Sequence, residues 1–170
     1  MLCDELQSYE EAIASFDKVI EFKPDHHSAW HKHGNALHNL NRYQEAISSY
    51  DKAQEIDPSC CIGWKDRGNT LYKLGRYEEA IASCDKAIAI QPDDDSAWNN
   101  RGNALKNLGR HEEAIANFDK AIEIKPDSHS AWFNRGVALR DLGRYEEAIA
   151  PPSLYQIASL LPLSPVLHPP

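Results

Sequence analysis

Trp98, Gly102, Leu105 and Leu108 fall at i, i+4, i+7 and i+10, which puts apolar and small side chains along one face of a helix. A partner helix is predicted from Tyr77, Ala80, Ile81, Cys84, Ala87 and Ile88, which recur at threes and fours. Gly75-Arg76 stands just before it, and glycine is the residue that adopts a positive φ at a helix end. Pro92 closes the partner helix, and Asp93, Asp94, Asp95 and Ser96 then offer acceptors for the next helix start. The unit is a helical hairpin, and Gly102, Ala114 and Ala121 are small enough to let two backbones come close.

The hairpin repeats. Trp30, Trp64, Trp98 and Trp132 each stand 34 residues after the last, and the same step carries Gly34, Gly68, Gly102 and Gly136. Leu37, Leu71, Leu105 and Leu139 keep it, as do Ala12, Ala46, Ala80, Ala114 and Ala148, and Pro24, Pro58, Pro92 and Pro126. A period of this length with this residue set resembles the tetratricopeptide repeat family, in its bacterial-type 34-residue arrays, over roughly residues 1–150. The resemblance implies an all-α fold, a right-handed superhelical solenoid of antiparallel helical hairpins. Because each repeat rests on its neighbours, Trp98 is expected as a buried aromatic of the core. Two departures bear on local packing. His33, Arg67, Arg101 and Arg135 stand where the family has Leu before the Gly, and Cys84 replaces an aromatic of the second helix.

The expected organisation is a half repeat over 1–26, complete repeats over 27–60, 61–94 and 95–128, and an incomplete one over 129–150. In the first, only Leu2 to Leu6 of a first helix is expected before a full second helix from about Tyr9 to Phe22. At the other end Pro151-Pro152 stands inside what would be a second helix, where each proline costs about 3 kcal/mol. Residues 151–170 form a proline-rich, non-repeat stretch without Asp, Glu, Lys or Arg. They read either as a non-native or disordered tail, from a shifted frame, or as a linker or improvised cap. Repeat arrays normally end in polar capping faces, so these ends predict a fragment of a longer array and self-association through uncapped ends.

Charge sharpens the functional reading. The net charge of -8 opposes nucleic acid and anionic membrane. No basic start with an apolar run marks a secretory signal, and the cysteines make no C-x-x-C pair, so a reducing, cytoplasmic setting is expected.

In the family the first helices line a concave groove, and the resemblance places the groove face one, two, five, eight and nine residues after each Trp. The candidate peptide-binding residues are Lys32, Asn35, Lys65, Asn69, Lys73, Asn99, Asn100, Asn103, Lys106 and Asn134. On that face Lys32, Lys65, Lys73, Lys106 and Arg140 outnumber Asp66 and Asp141 by five to two, a net +3, opposite in sign to the whole chain. Asn35, Asn69 and Asn103 form a ladder of amides able to pair with a peptide backbone. Related chaperone co-factors grip a partner's C-terminal carboxylates with lysine, asparagine and arginine. Lys65, Asn69 and Asn100 match that clamp, while Ser130 and Asn134 stand where its last two cations belong.

Other chemistry is thin. His27 and His31 are spaced to share a metal, but nothing completes a ligand set, and neither metal nor cofactor is expected. Cys84 reads as a buried hydrophobe, and Cys60-Cys61 falls at a loop and helix start. Glu10-Glu11, Glu78-Glu79, Glu112-Glu113 and Glu146-Glu147 recur in the first turn of each second helix, where they complement the helix dipole rather than form catalytic pairs. No nucleophile elbow, P-loop or dinucleotide fingerprint is present. The expected function is therefore a non-enzymatic scaffold that holds an extended, acidic peptide or a partner helix in its groove. The alternative is a substrate-docking segment of a larger glycosyltransferase, kinase, phosphatase or protease.

Overall fold

The computed structural model describes residues 2–149, and the proline-rich tail lies outside them. The helices are α1 (Leu2–Phe22), α2 (His27–Asn39), α3 (Tyr43–Ile56), α4 (Cys61–Lys73), α5 (Tyr77–Ile90), α6 (Asp95–Asn107), α7 (His111–Ile124), α8 (His129–Asp141) and α9 (Tyr145–Ile149). Among the described residues there is no strand. Each helix packs on its neighbours in sequence, and α2, α4, α6 and α8 also touch one another in succession. The result is the expected right-handed solenoid of antiparallel hairpins.

Within a hairpin, glycine sets the approach of the two helices. A Cβ on Gly34 would sit 2.7 Å from the Tyr50 ring, and one on Gly102 would sit 2.6 Å from Phe118. Both rings are buried, at 1% and 0% exposure, so neither can swing into solvent to make room. Gly68 faces the smaller Cys84 at 3.0 Å, and burial pushes that thiol up to about 12. Buried Ala46, Ala80 and Ala114 complete the close contact from the second helices. The turns between first and second helices are closed by Gly75, Gly109 and Gly143 at φ 74 to 75°, and by Asn41 at φ 59°. In each, the following residue's N–H reaches back five positions, as Arg76 N does to the Leu71 carbonyl at 3.0 Å.

Two sets of contacts join one hairpin to the next. Each tryptophan indole N–H donates to the carbonyl of the proline six residues earlier, Trp30 to Pro24 and Trp98 to Pro92 at 2.8 Å, Trp64 to Pro58 and Trp132 to Pro126 at 2.9 Å. This pins the loop between hairpins and leaves the indole half-buried. The expectation that Trp98 is a buried core aromatic is corrected accordingly: it is partly buried, and with Trp132 it borders a cluster of Ala121, Ile122 and Ala131 rather than filling it.

The second set uses the residues that depart from the family pattern. Arg67 donates to Asp51 of the preceding hairpin and to Ser83 of its own, both at 2.6 Å. Arg101 repeats this with Asp85 and Asn117, Arg135 with Asp119, and His33 with Asp17 and Ser49. Asp17, Asp51, Asp85 and Asp119 themselves recur every 34 residues, a signal the sequence carries in plain sight.

The N-terminal region also differs from expectation. One unbroken helix runs from Leu2 to Phe22, with no separation between 2–6 and Tyr9. Its cause is Gln7, which occupies the position held by Asn41, Gly75, Gly109 and Gly143. Without a residue suited to positive φ, the chain does not turn.

One joint is irregular. Gln54 is buried where Ile20, Ile88 and Ile122 stand in the other repeats, and its Oε1 has no partner. Facing it is Gly63, where the others have Ala29, Ala97 and Ala131; a Cβ there would collide with the Gln54 amide. The two substitutions compensate in volume but leave an orphaned acceptor.

Two stability predictions follow from these contacts. Gly102→Ala gains about 0.5–1 kcal/mol of helix propensity but overpacks against Phe118, a cost of about 1–3 kcal/mol, so it should destabilise. Among the described residues a Cβ on Gly136 meets only the Ala148 carbonyl, at 3.9 Å, so Gly136→Ala should stabilise by about 0.5–1 kcal/mol; urea unfolding of the two variants checks the opposite signs. At the irregular joint, Gly63→Ala alone should lower the melting temperature. Gly63→Ala with Gln54→Ile should raise it above wild type, because the double change removes a buried unsatisfied oxygen worth about 1–3 kcal/mol.

Candidate functional site

The first helices α2, α4, α6 and α8 pack side by side, so their shared face forms the inner wall of the superhelix. The candidate residues lie along it because they follow each half-buried tryptophan at helical spacing. Lys32 and Lys73 are exposed; Asn35, Lys65, Asn69, Asn99, Asn100, Asn103, Lys106 and Asn134 are partly buried.

Several side chains on this face, Asn99 and Asn134 among the candidates, already bridge one first helix to the next. His31 Nε2 bonds Asp66 Oδ2 at 2.8 Å, His38 Nδ1 bonds Thr70 Oγ1 at 2.8 Å, Asn107 donates to the Tyr72 hydroxyl at 3.0 Å, and Asn134 donates to Asn99 at 3.0 Å. Asn35 accepts from the Tyr50 hydroxyl at 2.7 Å. The side chains of Asn69, Asn100 and Asn103 make no hydrogen bond among the described residues and remain open to a ligand.

Charge on this face differs from the count made along the sequence. Lys65 Nζ donates to Asp94 Oδ2 at 2.6 Å, while Asp94 Oδ1 accepts from the N–H groups of Ser96 and Ala97 and caps α6. Burial pulls the Lys65 pKa down, and the Asp94 hydrogen bond and charge outweigh it, so the net shift is upward. Lys65 is thus a structural cation whose partner, only 9% exposed, was outside the predicted face. Arg140 is paired with Asp141. Lys32, Lys73 and Lys106 are the groove cations without an ion pair among the described residues.

Along the groove the lining changes. Near its N-terminal end a cavity of about 190 Å³ is lined by Asn35, His38, Asn39, Tyr50, Asp66 and Asn69. Near its C-terminal end an apolar hollow of about 450 Å³ is bounded by Trp132, Phe133, Val137, Arg140 and Tyr145, with Phe133 71% exposed.

Elsewhere the other candidates have structural partners. His27 lies 3.1 Å from Ser28 Oγ and 3.9 Å from Asp57, apart from the His31–Asp66 pair. Among the described residues no three His, Cys, Asp or Glu groups converge as a metal site. Cys61 donates weakly to the Ala87 carbonyl at 3.5 Å, and burial raises its pKa. In three of the four glutamate pairs the second member bridges to the arginine before the helix: Arg76 to Glu79, Arg110 to Glu113 and Arg144 to Glu147, each through two bonds of 2.6 Å, while Glu11 accepts from Gln7 at 3.2 Å. Among the described residues no helix is long and apolar enough to cross a membrane.

Family models described as tetratricopeptide repeat match residues 27–60, 96–128 and 117–150, and one described as TPR repeat matches 68–109. Residues 9–38 match the protein prenyltransferase alpha subunit repeat. No curated protein matches the sequence. Among solved structures, MamA (41-end) from Desulfovibrio magneticus RS-1 is 22% identical with a TM-score of 0.79, covering 90% of this chain and 84% of that one. YrrB, described as a TPR protein with an unusual peptide-binding site, is 25% identical with a TM-score of 0.73, covering 95% and 82%. The first TPR of Spaghetti (RPAP3), bound to an HSP90 peptide, is 24% identical with a TM-score of 0.67, covering 69% and 93%.

The histidines that bridge helices make stability depend on pH. Burial is the main cause holding His33 and His38 below 6.5, with Asp17 and Asp66 offsetting it only in part. Such bases take up protons first in the unfolded chain, so stability is full above 6.5 and is lost as pH falls from there through the lower folded values. The melting temperature should be flat from about pH 8 to 7 and fall between about 6.5 and 5, and His33→Gln with His38→Gln should flatten that slope.

Proposed function

Because the chain belongs to the tetratricopeptide repeat family, we propose that it is a non-catalytic scaffold that binds an extended peptide along the inner face of its first helices. The observation that carries this reading is the row of unengaged amides at Asn69, Asn100 and Asn103 on one wall. Each amide offers a donor and an acceptor to a peptide backbone that would otherwise lose its water partners on binding. Lys73 and Lys106 flank the row and suit carboxylates of the ligand. Peptide recognition by YrrB and by the RPAP3 domain supports the class of function. The tail-carboxylate clamp is a poor fit, since Lys65 is committed to Asp94 and Ser130 and Asn134 bring no cation. The glutamate pairs are poor candidates for a catalytic acid and base, because in three of the four one member is held by arginine. The free thiols of Cys60, Cys61 and Cys84 suit a reducing, cytoplasmic setting.

Exposed charge contacts are each worth about 0–1 kcal/mol and are screened by salt, so affinity should be micromolar and should weaken as ionic strength rises. In a peptide-library pull-down, Lys73→Glu, Asn103→Ala and Lys106→Glu combined should reduce retained peptide at least about tenfold, equivalent to about 1.4 kcal/mol. Lys65 is left intact because its loss would uncover Asp94 at the start of α6. Retention that survives this triple change and is abolished by Glu112→Lys on a second helix would place the partner on the outer face instead.

A further inference from the structure

We propose that the cavity between α2, α3 and α4 is a subsite for a positively charged guanidinium or ammonium group carried on a side chain of the bound peptide. The proposal rests on the groove being the peptide site and adds what one part of it selects.

Asp66 is the one charged residue in the lining. Its Oδ2 takes the His31 Nε2 proton at 2.8 Å, which leaves Oδ1 open. The proton of His38 can also be located. Thr70 has a single hydroxyl proton, and it goes to the Asp66 carbonyl at 2.8 Å. Towards His38 Nδ1, also at 2.8 Å, Thr70 Oγ1 must therefore accept. His38 consequently carries its proton on Nδ1 and keeps Nε2 as a bare acceptor. Burial and Lys73 both favour the neutral ring, against the pull of Asp66. Tyr50 gives its proton to Asn35 and retains its oxygen lone pairs. Asn69 is unengaged. Asp66 Oδ1, His38 Nε2, the Tyr50 oxygen and the amide oxygens of Asn35, Asn39 and Asn69 make six acceptor groups in the lining against three donor groups, the NH2 of the same asparagines, and its one formal charge is negative.

That inventory disfavours an anion and suits a group with many N–H donors and positive charge. A guanidinium presents five donors in a plane and is more weakly hydrated than an ammonium, so arginine should be preferred to lysine. At about 190 Å³ the cavity exceeds the roughly 30 Å³ share of one water several-fold. It has room for the head and last methylenes of a long side chain. Lys73 faces His38 from the end of α4 but does not line the cavity. The feature is specific to this joint: the position of Asp66 is Lys32, Asn100 or Asn134 in the other repeats, and that of Tyr50 is Phe16, Cys84 or Phe118.

The test uses the full chain and an N-acetylated random peptide library, so that any ammonium selected comes from a side chain and not a terminus. Retained peptides should be enriched in arginine at one position. Replacing that arginine with citrulline, which keeps the shape and loses the charge, should weaken binding at least tenfold for wild type and less than twofold for Asp66→Asn. Asp66→Asn still offers an oxygen to His31 and should keep the wild-type melting curve; Asn69→Ala provides a second variant with the same expected loss. No arginine or lysine enrichment, or an equal citrulline effect on wild type and Asp66→Asn, overturns the subsite. If no peptide is retained, or retention ignores Asn103→Ala with Lys106→Glu, the groove reading itself fails. The cavity is then decided alone by titrating N-acetyl-arginine amide against N-acetyl-citrulline amide, with amide shifts at Asn69 and His38 for the former only upholding it and their absence rejecting it.

Discussion

The architecture depends on a contact between a hydrogen atom and a ring. At Gly34 and Gly102 the first helix offers no side chain, and the aromatic of the second helix lies where a Cβ would be. Close packing of this kind stores no slack, so the distance between the helices of a hairpin is fixed by the ring's thickness. Once that distance is fixed, Ala46, Ala80 and Ala114 are the side chains that fit opposite, and Leu37, Leu71, Leu105 and Leu139 fill the remaining space at no more than 1% exposure. A hairpin built this way still has an open side, and stacking the next one covers it.

Stacking brings polar groups into the joints, and how they are satisfied decides what the groove has left. Arg67, Arg101 and Arg135 each reach back to an aspartate of the preceding hairpin, and the first two also bond their own second helix. Asp94 caps α6 while holding Lys65. Much of the chain's charge is therefore spent internally, and a count along the sequence overstates what a ligand meets. The net -8 belongs to the chain as a whole, whereas the groove is a row of amides with one aspartate beside a cavity and three lysines that have no ion pair among the described residues.

The period was legible because each recurring residue answers a constraint that recurs with it. Gly34, Gly68 and Gly102 mark the close approach, Gly75 the turn, and Trp with Pro the loop clasp, so the hairpin and its repetition can be written down from spacing alone. What spacing did not reveal were partners across a joint. The tryptophans read as core because they are large and apolar, yet their N–H groups need an acceptor, and that need keeps them at the edge. The missing turn in α1 was signalled by Gln7 in the glycine position, a one-residue cue easily passed over when the apolar pattern continues. Lys65 read as a free groove cation because Asp94 lies 29 residues away, in a segment that looks like an ordinary helix cap.

Positions that make the joints and positions that face the groove are under different constraints, and this locates specificity. Trp, Gly, Leu and Pro hold their identity through the repeats because each failure would open a joint. Two residues after each Trp the sequence reads Lys32, Asp66, Asn100 and Asn134, and eight after it reads His38, Tyr72, Lys106 and Arg140. The fold tolerates either charge or none there, so those side chains are free to be set by a ligand. Their order runs from imidazole and carboxylate at the α2–α4 end, through amides, to Phe133, Val137 and Arg140 at α8. A symmetric stack thus presents an asymmetric wall, and a peptide lying along it in one direction meets different chemistry from the same peptide reversed. On the proposed groove reading the orientation of a peptide would be set by the departures from the repeat, while the repeat itself supplies only the rigid spacing at which those departures are held.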